Sequence, residues 1–204
     1  ERGDLDVSDD GKVREAVLSV RPDAIVNCSA YNGVDDAETH PSEALEVNSF
    51  GVLALARAAR AAGAVLVHYG TDFVFDGKAD RPYVETDHPR PESNYGMSKL
   101  LGEWFAADAG DHYVLRVESL FGGDRAKSSV DRILEAIRND QPAVVFSDRT
   151  VTPSYVEDIA ETTARPPRES WLVFPDASCT PLPDFEKIAV GFILCALFYR
   201  LVGG

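Results

Sequence analysis

Cysteine is scarce in this sequence, basic residues are outnumbered, and no apolar run reaches bilayer length. The three cysteines, Cys28, Cys179 and Cys195, are too few and too scattered for a disulfide framework or a zinc site. That points to a reducing compartment, the cytoplasm, and to chemistry without a bound metal. Acidic residues number 34 against 20 basic, a net charge of −14. Without clustered Lys and Arg, neither nucleic acid nor an anionic membrane is an expected partner. The greasiest stretch, Ile188–Tyr199, is roughly 12 residues long, short of the ~20 needed to span a membrane. Internal repeats and low-complexity tracts are also missing. No methionine opens the chain, and Glu1 begins in mid-pattern, so an upstream segment is expected.

What is present reads as an α/β protein. The 204 residues, 45% hydrophobic, suffice for one sizeable domain with its own core. Ser8 or Asp9 caps a helix to about Val20, with Val13, Val17 and Val20 on one face. Ala24–Cys28 is a strand buried on both sides, as in a parallel sheet. A polar loop, 29–38, leads to an Ala- and Leu-rich helix over 42–62, which Gly63 ends. A strand over 64–68, a helix over 95–107, a strand over 113–117, a helix over 127–138 and a short strand over 143–146 follow. This alternation defines a Rossmann-like, doubly wound parallel sheet. Residues 1–147 form its partial nucleotide-binding domain and 148–204 a small, incomplete substrate lobe. From Arg165 the pattern breaks into a Pro-dotted and then apolar tail. A buried helix, a membrane anchor or a shifted reading frame would each produce such a tail.

The chemistry concentrates in residues 65–104. The strand ends in Tyr69, Gly70, Thr71 and Asp72, and Tyr95 and Lys99 lie four apart at the start of a helix. A tyrosine with a pKa of about 10 is a poor acid at neutral pH. A lysine on the same helical face favours the phenolate and lowers that value. Such a tyrosine hands a proton to a carbonyl oxygen while Thr71 donates a hydrogen bond to the same atom. A bare Tyr-x-x-x-Lys also occurs by chance as a solvated pair. Here a hydroxyl residue closes the preceding strand, and Gly96 and Ser98 allow close backbone approach.

Tyr95-Gly96-Met97-Ser98-Lys99 resembles the signature of extended short-chain dehydrogenases/reductases. The stretches from Val26 to Glu38 and from Gly70 to Gly77 narrow the resemblance to the dTDP-4-dehydrorhamnose reductase family, over residues 4 to 164. The resemblance implies NADPH- or NADH-dependent reduction of a 4-keto nucleotide-sugar, and it is compatible with a homodimer. It further implies that Asp6 and Val7 lie beside the adenine and that Ala30, Tyr31 and Asn32 follow the ribose and pyrophosphate. Tyr69 would also touch the cofactor. Thr71 and Asp72 would face the sugar, Tyr95 would donate the proton, and Lys99 would hold the nicotinamide ribose and tune Tyr95. Leu120 stands where a tryptophan often meets the sugar, or simply packs in the core. Asn48 is expected to be structural, at the sheet edge. His68 and His112 are given no role.

Three departures accompany the resemblance. The family's Gly-x-x-Gly-x-x-Gly turn, which sets a helix N-terminus against the pyrophosphate, is not among these residues. The expectation is that a first βα unit of about 30 residues precedes Glu1. Arg149 and Val151 replace a usual Gln and Gly, with Arg149 either meeting a diphosphate or lying on the surface. Finally, the substrate lobe breaks off near Glu161. An inactive fragment and a non-catalytic regulatory subunit are therefore the competing readings.

Overall fold

The computed structural model describes residues 5–123, 128–143, 145 and 150–164. Three parallel strands, β1 (Ala24–Asn27), β2 (Val65–Thr71) and β3 (His112–Val117), lie in the order β1-β2-β3. Ile25 sits beside Leu66, and Thr71 beside Val117. β2 runs three residues further than its apolar pattern suggests. Its polar end is held because β3 pairs alongside it up to Thr71.

Helix α1 (Asp10–Val20) starts where the Asp9 carboxylate accepts the Lys12 N–H at 3.0 Å, and Arg21 closes it in a left-handed conformation with φ of 50°. Val13 and Val17 are buried, but Val20 is 49% exposed. It is the last residue of the helix, just before the turn at Arg21 that leads into β1. Val13 and Val17 pack with Val52, Leu55, Ile25, Leu66 and Val114 in the main core. A second cluster, Ala24, Val65, Val67 and Tyr113, forms separately, with Val26 and Leu115 against it. Both faces of the sheet are apolar, as parallel strands require.

The crossover from β1 to β2 is not the single helix that its composition suggests. It divides into α2 (Pro41–Leu45), a π turn over Glu46–Phe50, and α3 (Gly51–Ala62). Wide turns of this kind recur at functional sites, and here the turn buries Asn48 and Ser49. Gly63, with φ of 71°, ends α3.

Between β2 and β3 lies α4 (Asn94–Ala106). The Ser93 hydroxyl accepts the Gly96 N–H at 3.0 Å. The Glu38 carboxylate accepts the Asn94 N–H at 2.7 Å and its side-chain amide at 3.1 Å. An acidic group is thereby held at the positive end of the helix. At Gly102 a Cβ would collide with the Asn48 carbonyl, so glycine lets α4 lie against the π turn.

Helix α5 (Ser129–Arg138) opens with a capping box between Ser128 and Asp131 and buries none of its side chains. Of the strand expected over 143–146, Ala143 and Val145 are not in a strand; Val144 and Phe146 lie outside the described residues. Helix α6 (Val156–Ala164) follows. It is tied to the end of β3 by a Phe121–Tyr155 bridge and by the Ser154 N–H donating to the Glu118 carbonyl at 3.0 Å. Arg149, the expected domain boundary at 147 and the tail from Arg165 also lie outside the described residues. Among the described residues no helix is long and apolar enough to cross a membrane.

Candidate active site

The carboxyl ends of β1, β2 and β3 open into a cavity of about 400 Å³, the position where α/β sheets bind ligands. Thr71, Tyr95 and Lys99 all line it, together with Ala30, Asn32, Tyr69, Asp72 and Leu120. Thr71 is the last residue of β2, and the following turn, Asp72–Val74, brings Asp72 and Phe73 around the rim. The Thr71 hydroxyl donates to Asp72 Oδ1 at 3.0 Å and accepts the Phe73 N–H at 3.3 Å. The ring of Phe73 meets Tyr95 edge to face, with centroids 5.5 Å apart. At Gly96 a Cβ would strike the Phe73 carbonyl, so the residue after Tyr95 must be small.

Lys99 is only 3% exposed, and its ammonium donates to the Tyr69 carbonyl at 2.6 Å. Burial pulls its pKa down to about 8, against a smaller upward pull from Glu103. The electrostatics of Tyr95 differ from the expectation. Burial pushes the phenol up; the neighbouring Thr71 hydroxyl draws it back, and the Asp72 charge adds to the rise. The Lys99 ammonium is directed to the Tyr69 carbonyl. Burial likewise raises Asp72, and raises Glu118 with help from the Asp72 charge.

A buried polar pair lies beside the cavity, with Asn27 in its lining and His68 behind. Asn27 Oδ1 accepts both the N–H and the hydroxyl of Ser29, at 3.0 and 2.6 Å, so its amide nitrogen faces His68 Nδ1 at 3.0 Å. His68 Nδ1 must therefore accept, which puts the ring proton on Nε2. Burial, with the Lys99 charge, holds His68 well below the usual imidazole range. His68 thus has a structural role that the sequence did not suggest. Asn48 has one too, away from the sheet edge. Its Oδ1 accepts the Tyr31 N–H at 2.8 Å, and its Nδ2 donates to the Tyr31 carbonyl at 3.1 Å and the Ser98 hydroxyl at 3.0 Å.

Other expected residues stand apart. The Tyr31 hydroxyl donates to Asp36, whose carboxylate pushes the phenol up to about 12, and Tyr31 is not in the cavity lining. Asp6 accepts from Ser8 at the surface, and Val7 is buried in the main core against Gly51. Leu120 is 45% exposed at the mouth of the cavity rather than packed in the core. The sequence reading missed Asn27 and Ser29, signalled only as polar residues directly after an apolar strand. It also missed Val156 and Ile159, which line the cavity from α6 and share one helical face by their spacing alone.

A parallel sheet with helical crossovers and a cavity at its carboxyl edge is a Rossmann-like α/β protein. More narrowly, the chain belongs to the RmlD substrate binding domain family, which it matches over residues 1–169. It is 37% identical over 163 residues to a dTDP-4-dehydrorhamnose reductase of Streptomyces griseus, covering 78% of this chain and 53% of that protein. Against the reductase of that name from Escherichia coli K12 it is 36% identical over 160 residues, with the same shares covered. The dTDP-4-dehydrorhamnose reductase of Bacillus anthracis, solved in complex with NADP, superposes with a TM-score of 0.73 at 31% identity, covering 78% of this chain and 57% of that one. The chain therefore spans about half the length of the curated relatives it matches.

Proposed function

We propose that this chain carries the reductive site of an NADPH- or NADH-dependent enzyme that reduces the 4-keto group of a nucleotide-linked deoxysugar. The observation that carries the reading is the convergence of Thr71, Tyr95 and a buried Lys99 on one cavity at the carboxyl edge of the sheet. The cavity fits the nicotinamide-ribose half of the cofactor, since a buried ammonium and polar residues around it supply donors for ribose hydroxyls. A glycine-rich cradle for the pyrophosphate is not among the described residues. The cofactor, when bound, supplies a hydride to the carbonyl carbon.

The protein residues handle the oxygen. Thr71 donates a hydrogen bond to it, and Tyr95 gives it a proton as the carbinol forms. Burial keeps Tyr95 protonated, which suits a group that must give a proton rather than take one. Asp72, Leu120 and the inner face of α6 surround the space left for the sugar.

The test is a fluorescence titration with NADPH of this chain and of one extended upstream, followed by assays on dTDP-linked 4-keto-sugars. Binding is expected at least in the longer chain. Tyr95→Phe should retain binding and lose roughly 10²–10⁴-fold in kcat, the share general acid catalysis supplies. If neither chain binds NADPH, the reductase reading falls and a binding role toward another protein takes its place.

A further inference from the structure

One turn beyond Lys99, the same buried face of α4 carries a charge that the reaction just described does not use. Glu103 is 7% exposed. Arg116 of β3 holds it through Nε, 3.0 and 3.1 Å from the two carboxylate oxygens, and through Nη2, 2.6 Å from Oε2. The Arg116 guanidinium also lies 4.9 Å over the ring of Phe75, which closes the turn after Thr71 and stacks on Tyr83. Gly70, the register partner of Arg116, completes the arrangement. A Cβ there would collide with Glu103 Oε1 and lie 3.0 Å from Arg116 Cγ. The ion pair thus crosses β2 between Tyr69, whose carbonyl holds Lys99, and Thr71.

We propose that Glu103 and Arg116 form a positioning pair for the Tyr95–Lys99 face of α4, clamping the helix to β2 and β3 and keeping the Lys99 ammonium charged. The inference rests on the role given to Lys99 above. A buried ion pair is weak support for stability as such, because two charges must be desolvated. Its placement beside a third buried charge gives it a different task. Around Lys99, β2 presents neutral His68, α4 presents Tyr95 and Glu103, β3 presents Arg116 behind Glu103, and the turn after β2 presents Asp72. Glu103 favours the charged lysine, whereas burial opposes it. Burial raises Glu103, and the Arg116 hydrogen bond and charge pull it back toward the ionised form.

The experiment follows the lysine side-chain resonances of the isotopically labelled protein by NMR across pH, without cofactor, and assigns Lys99 by its loss in Lys99→Met. Three proteins are compared: the parent, Glu103→Gln, and the apolar double variant Glu103→Met/Arg116→Met. Glu103→Gln leaves Arg116 as a bare buried cation, so the Lys99 midpoint should fall by about one pH unit or more, as nearby charges shift such groups. In the double variant both charges go, and the midpoint should fall by less. A midpoint unchanged in a cooperatively folded Glu103→Gln protein would overturn the proposal. If that variant does not fold, the double variant, with matched apolar volume, decides in the same way. NADPH is not needed for this readout, so failure of the reductase reading in the titration above would be seen separately.

Discussion

Lys99 carries a charge that its surroundings disfavour, and the site's pH behaviour follows from it. With its pKa drawn down to about 8 by burial, the ammonium is present below that value and lost above it. Tyr95 shifts the opposite way, so the proposed proton donor stays protonated after Lys99 has discharged. NADPH affinity should therefore be level between roughly pH 6 and 7 and decline above about pH 8, by up to tenfold per unit. Fluorescence titration over that range checks it, and an affinity still level at about pH 9.5 would remove Lys99 from cofactor binding. The three expected reaction residues were legible because two share a helical face and the third ends an apolar strand. Glu103 and Arg116 were not legible. They are 13 residues apart, on a helix and a strand, and only the packed sheet brings the charges together.

Most elements could be read from short-range signals: Asp9 before α1 and Gly63 after α3. The π turn could not. Nothing in the Ala- and Leu-rich periodicity of 42–62 marks a wide turn, and the partners of Asn48 lie 17 and 50 residues away. Those partners show what the turn does. One amide side chain fixes the backbone of the 28–32 loop and, through Ser98, the helix that carries Tyr95 and Lys99. Ser49 adds a second tie, its hydroxyl donating to the Ser98 carbonyl at 2.8 Å. Asn48→Ala removes three hydrogen bonds and leaves the Tyr31 N–H and carbonyl short of a partner, while the Ser98 hydroxyl still donates to the Tyr95 carbonyl at 2.8 Å. The expected loss is about 2–4 kcal/mol, given ~1–3 kcal/mol for each buried polar group left unsatisfied. Urea unfolding measures it as a lower midpoint with unchanged slope. A loss below about 0.5 kcal/mol, the range of ordinary surface substitutions, would mean that the turn is held by something other than Asn48.

At the scale of the whole molecule, the two sides of the cavity are built to different standards. The sheet side buries Asn27, His68, Thr71, Tyr95 and Lys99, and α4 alone buries eight of its 13 residues. The opposite side, where Leu120 and α6 stand, is far more open. Neither α5 nor α6 has a buried residue. Besides the links at its start to the end of β3, α6 is joined to β2 by the Tyr69 hydroxyl against Thr163 Oγ1 at 2.7 Å. Such a division suits a site whose sheet side must be set before a ligand arrives and whose other side adapts to it, as the proposed sugar nucleotide would require. Local opening free energies follow buried contacts, so amide exchange should report the division directly. Amides of α5 should exchange on the order of 100-fold or more faster than those of β2 and α4, with α6 between them because of its tie to Tyr69. Exchange read by mass spectrometry on peptides over 65–71, 94–106, 129–138 and 156–164 measures each element. Replacing Tyr69 by Phe should move α6 toward the α5 rate while β2 and α4 stay slow. Equal protection of α6 and α4 would instead mean that the two sides of the cavity open as one cooperative unit.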